Sequence, residues 1–116
     1  MSTHSTEATE ATEIVGALLR DALRAYQDAA TEATIAFYRD PEPACDAHLK
    51  RAEMLDDAAD EIREALALYM LRDRDPADLI RNAAPSSSSR REWLRRVADD
   101  IDARLSGEDP PLPEVP

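Results

Sequence analysis

The sequence is poor in the residues that mark most alternatives to a helical protein. It has one cysteine, two glycines and one lysine among 116 residues. A single thiol, Cys45, excludes an internal disulfide, and a cytoplasmic compartment is the default expectation. So few glycines, with hardly any β-branched runs, argue against a sheet. Aromatics are nearly absent, with one Trp, one Phe and three Tyr. Long apolar runs are missing too. The longest, residues 65–71, is seven residues, far below the about 20 that cross a bilayer. The first ten residues carry no basic stretch followed by an apolar one, so no cleavable secretion signal is expected.

Positive charge is also scarce. Twenty-five acidic side chains face 14 basic ones, for a net charge of −11. Binding to nucleic acid rests on neutralising phosphates, so free association with DNA or RNA is disfavoured. An anionic membrane surface is disfavoured on the same ground, whereas a protein with a basic surface is allowed.

What the chain has in abundance is alanine, 21 residues of it. Small side chains bring helix axes together but bury little area each, so many contacts must sum. Residues 44–72 form the stretch around which the rest is organised. Leu49, Ala52, Leu55, Ala59, Ile62, Leu66 and Tyr69 recur at steps of three and four, placing them on one helical face. No Gly or Pro interrupts them. Residues 7–38 read as a first helix with two adjacent seams. One is Ala11, Val15, Leu18, Ala22, Ala25, Ala29 and Ala36; the other is Leu19, Leu23, Tyr26, Ala30, Ala33 and Phe37. The short break containing Pro41 and Pro43 predicts an antiparallel hairpin.

Asp75-Pro76 predicts the start of a short third helix over 76–83. The serine run 86–89 leads into a fourth helix ending near Leu105, with Ser89 and Glu92 spaced as a capping box and any of Ser86 to Ser89 able to serve as the cap. Gly107 stops that helix. Residues 108–116, EDPPLPEVP, hold four prolines in nine positions and predict an extended, solvated tail. Pro110, Pro113 and Pro116 keep the three-residue polyproline-II repeat that proline-binding modules read. The expected organisation is a disordered N-terminus (1–6), an all-α helical bundle on a long antiparallel hairpin with a short helix and a C-terminal helix (7–106), and a disordered Pro-rich tail (107–116). The hairpin leaves one seam of the first helix short of cover, which predicts self-association or a partner helix.

Cys45 and His48 are three apart, a spacing compatible with a zinc site or a nucleophile–base pair. No second Cys or His pair accompanies them, and no glycine-rich turn offers an oxyanion hole, so a structural thiol and a surface histidine are expected instead. Carboxylates crowd the second helix, yet the Glu-x-x-His pattern of di-metal bundles does not occur. No metal, cofactor or catalytic residue is assigned. Two clusters remain. Asp57, Asp60, Glu61 and Glu64 form an acidic band, although like charges four apart oppose helix formation. Arg90, Arg91, Arg95 and Arg96 flank Trp93, a residue type more often a core or interface anchor than a base-stacking platform. These nine are the expected partner-binding residues, with pairing between the two clusters, inside the protomer or across an interface, as a further expectation.

The composite expectation is a small acidic, non-catalytic protein–protein interaction or adaptor protein. It acts in the cytoplasm, forms a homo-oligomer through its helices and binds a protein with a basic surface. The alternative is an acidic inhibitor, of the kind some viruses encode, that blocks a basic nucleic-acid-binding surface on a target protein. Asn and Gln in the acidic band would disable such an inhibitor. An adaptor would fail instead when Trp93 or Leu66 is cut to Ala.

Overall fold

The computed structural model describes residues 3–72, 75–83 and 88–116. Four helices follow in order among the described residues: α1 (Thr3–Arg39), α2 (Ala44–Arg72), α3 (Pro76–Asn82) and α4 (Ser88–Leu105). The described residues contain no strand. α1 and α2 pack along their lengths as an antiparallel hairpin, and the chain is an all-α bundle. α4 packs on α3 and α1, with a narrower contact on α2. No helix among the described residues is long and apolar enough to cross a membrane.

Heptad recurrence explains the hairpin. In α1, Leu19, Tyr26 and Ala33 are buried at steps of seven, beside Ala22, Ala29 and Ala30. In α2 the same step links Cys45, Ala52 and Ala59, then Leu55, Ile62 and Tyr69, with Ala58 and Ala65 beside them. A seven-residue repeat drifts by about 20° per heptad on a straight helix, which favours gentle left-handed winding. The heptad rows also correct one expectation. Leu49 is 39% exposed, because it lies one position past the row of Leu55, Ile62 and Tyr69 and shares its own row with the exposed Asp56 and Arg63. The larger core side chains are Trp93, Tyr26, Leu19, Leu55, Ile62, Ile80, Leu94, Ile101 and Val97. One seam of α1 is only partly covered, with Leu18 and Ala25 half-buried and Ala11 exposed.

The ends of the elements follow from local chemistry. α1 starts at Thr3, inside the segment expected to fray; Met1 and Ser2 lie outside the described residues. Its 37 residues span about 56 Å against about 44 Å for the 29 of α2. The helices are joined at the C-terminal end of α1, so its excess length lies at the N-terminal end. α3 is capped as the Asp-Pro pair predicts: Asp75 Oδ1 accepts from the Ala77 N–H at 3.0 Å, with Pro76 in the first turn. Ser89 falls inside α4 rather than capping it, and the residues ahead of Ser88 lie outside the described set.

α4 ends in a Schellman motif. The Glu108 N–H donates to Ala103 O at 3.0 Å and the Gly107 N–H to Arg104 O at 3.1 Å. Gly107 adopts φ 92°, the left-handed region where a Cβ is strained. Beyond it the tail carries no helix or strand. It departs from the solvated tail expected from composition. Leu112 and Val115 are partly buried against the core, where Pro-rich backbone can lie flat without needing donors of its own satisfied.

Candidate interaction surfaces

The nine residues expected to meet a partner fall into three groups once folded. Trp93 is fully buried, and its indole Nε1–H donates to the Met54 carbonyl of α2 at 2.7 Å. It is therefore a core residue that ties α4 to α2, not a surface anchor. The helical stripe of α4 explains this. Trp93, Leu94, Val97, Ala98 and Ile101 are all buried and recur at steps of three and four.

Arg90 lies at the N-terminal end of that same stripe, so its guanidinium reaches across to α2. Its Nε donates to Asp57 Oδ2 at 2.6 Å and its Nη2 to Asp57 Oδ1 at 2.7 Å, a bidentate pair. Nη2 also reaches Glu61 Oε1 at 3.1 Å. The pairing expected between the two clusters thus forms inside the protomer through Arg90, Asp57 and Glu61. Glu61 is the more enclosed carboxylate. Burial, and then the neighbouring Glu64, push its carboxyl above the usual carboxylate range, with Arg90 pulling the other way.

The remaining charges face outward. Asp60 is exposed and pairs with Arg63 on its own helix at 2.8 Å, and Glu64 and Asp56 are exposed beside it. Arg91 and Arg95 are exposed on α4. Arg96 serves two local partners, Glu92 one turn back at 3.0 Å and the Glu114 carbonyl of the tail at 2.9 Å.

Cys45 is buried in the hairpin. His48 Nε2 lies 2.7 Å from Asp40 Oδ2, which ties the second turn of α2 to the interhelix break. The His48 hydrogen bond, and then that of Arg39, hold the Asp40 carboxyl below its usual range.

One polar constellation was not anticipated. Tyr26 Oη of α1 donates to Asp100 Oδ2 of α4 at 2.7 Å, with both residues buried. Arg104 Nε donates to both Asp100 oxygens at 3.2 Å. Burial, with the Asp100 charge and hydrogen bond next, pushes the Tyr26 phenol far above its usual range. The signal was present in the sequence, as Asp100 sits between Val97, Ala98 and Ile101 on the buried side of α4, four residues before Arg104.

Comparison with protein-family models, curated proteins and solved structures finds no match. Function must be argued from these surfaces alone.

Two surface features bear on that argument. Large apolar side chains stand in water on the hairpin: Ile14 is 61% exposed, Ile35 58%, Tyr38 81%, Met70 49% and Leu71 80%. In addition, a cleft of about 550 Å³ opens between the tail and α2. Ala47, Lys50 and Arg51 form one wall, and residues 112–116 form the other.

Proposed function

We propose that this chain is a small acidic, non-catalytic protein-interaction module that associates with itself through its helical hairpin and binds a further protein in the cytoplasm. The observation that carries the reading is the set of exposed large apolar side chains on α1 and α2, Ile14, Ile35, Tyr38, Met70 and Leu71. They sit on a bundle with no unpaired buried polar side-chain atom among the described residues. A bundle whose buried polar atoms are paired and whose large apolar side chains stand outside has apolar surface to offer a partner. The half-covered seam of α1 adds to that surplus. Molar mass by light scattering, at low and high salt, tests the reading. A multiple of the chain mass in both conditions is expected, because apolar contacts are not screened. A strict monomer throughout overturns the self-association.

A second reading has its own observation. Asp56, Asp60 and Glu64 line up on the solvent face of α2, while Asp57 and Glu61 are engaged by Arg90. An outward acidic strip on a chain of net charge −11 suits an inhibitor that covers a basic, nucleic-acid-binding surface of a target. Asp60→Asn with Glu64→Gln separates the two readings. It removes charge without touching the Arg90 bridge, so an inhibitor loses binding and an apolar self-association persists.

A further inference from the structure

The tail is held by chemistry rather than by composition. A proline-rich strand has few N–H groups to donate, so it is recognised through its carbonyls, and those need donors. α4 supplies them. Arg96 Nη1 donates to the Glu114 carbonyl at 2.9 Å, and Arg104 Nη2 reaches the Pro110 carbonyl at 3.4 Å. Leu112 and Val115, three apart, share one side of an extended strand and are the two tail residues packed on the core. Lys50 and Arg51 of α2 border the adjoining cleft, with Glu114 on the opposite wall. Arg96 and Arg104, each also paired with a carboxylate of its own helix, thus act on the tail as carbonyl donors, while Lys50 and Arg51 set positive charge across the cleft from Glu114 in a chain that is otherwise strongly negative.

We infer that the surface formed by Arg96 and Arg104 of α4 with Ala47, Lys50 and Arg51 of α2 is a binding groove for an extended, acidic, proline-spaced segment of a partner protein, and that the chain's own tail is its built-in competitor. The partner segment carries apolar residues at positions one and four with a carboxylate between them, as in Leu112-Pro113-Glu114-Val115. Charge favours such a strand over a basic or neutral one. Exchange of tails between two copies is not favoured. It replaces each contact by an identical one and adds the entropic cost of association. A foreign segment must outcompete a tethered strand whose effective concentration is in the millimolar range for a short linker. The groove is therefore closed to weak ligands and open to segments that bind more tightly than the tail. The inference deepens the reading of the chain as a protein-interaction module by naming one surface and its ligand.

The test uses the full chain and a fluorescent synthetic peptide of sequence EDPPLPEVP, followed by anisotropy. Leu112→Ser with Val115→Ser releases the tail while leaving the helices intact, which circular dichroism verifies. That variant is expected to bind the peptide about tenfold or more tightly than the unaltered chain, because the competitor is gone. High salt, or Arg51→Glu with Arg96→Glu in the released background, is expected to abolish binding. Equal affinity in both chains, no binding to the released chain, or a dimer that disappears when the tail is released would each overturn the proposal. A monomeric chain that still binds the peptide would sink self-association and keep the groove, so the two claims fail separately.

Discussion

Replacing Tyr26 by Phe removes one oxygen from the middle of the bundle and keeps the ring. The lost contact is the 2.7 Å hydrogen bond to Asp100, whose side chain is 3% exposed. A hydrogen bond to a charged acceptor contributes about 1.5–3 kcal/mol, and water cannot replace it here. Arg104 still holds both Asp100 oxygens, so the carboxylate is weakened rather than orphaned. Tyr26→Phe should therefore destabilise the fold by about 2 kcal/mol, lowering the melting temperature by roughly 5–15 °C for a chain of this size. Alkaline pH adds a second readout. The native phenol keeps its proton above the range where an unfolded tyrosine releases it. The unfolded state then binds fewer protons, so stability falls as pH rises above about 10, by up to about 1.4 kcal/mol per pH unit from this group. Tyr26→Phe should lack that part of the slope. Urea unfolding of both chains, followed by circular dichroism at neutral and alkaline pH, measures both effects. A loss under about 0.5 kcal/mol with an unchanged alkaline slope would refute the buried network as described.

Further outcomes are expected. Gly107→Ala should cost about 1–2 kcal/mol, because φ 92° is strained for any side chain. Gly16→Ala should instead add up to about 1 kcal/mol, since a methyl there meets Arg20 Nη2 and Met70 Sδ at ordinary distances of 3.5 and 3.6 Å and improves helix propensity; paired thermal melts show the opposite signs. Trp93→Phe should lose roughly 1–3 kcal/mol, combining the missing bond to the Met54 carbonyl with unfilled volume, and urea midpoints measure it. For Glu61, whose carboxyl is pushed up in the native state, ionisation on raising pH through the carboxylate range takes stability away. Glu61→Gln should accordingly gain stability relative to the unaltered chain between acidic and neutral pH, as urea midpoints at the two pH values would reveal.

The helices and their hairpin were legible because apolar spacing, Pro41, Pro43, Pro76 and Gly107 all mark the same boundaries. The destination of Trp93 was legible only in part. It lies four residues before Val97 on the apolar stripe of α4, yet the arginines around it equally fit a contact surface, and the Met54 carbonyl shows where its indole N–H goes. The same geometry sorts the arginines. Arg90 and Arg104 lie on the buried stripe of α4 and reach inward from its two ends, whereas Arg91 and Arg95 lie off it and stay exposed. Composition also misled about the tail, because a count of prolines hides the three-residue spacing of Leu112 and Val115.

An alanine-lined hairpin has an indexing problem. The four-residue break between α1 and α2 and the larger side chains of Leu19, Tyr26, Leu55 and Ile62 already favour one register, but the alanines between them, Ala22, Ala29, Ala58 and Ala65, discriminate little. Two polar contacts add a discrimination that small side chains do not. Trp93 Nε1–H has one carbonyl to reach, at Met54, and Tyr26 Oη has one carboxylate, at Asp100. α4 reads both long helices through those two contacts and fixes their alignment like a key cut for a single pair of notches.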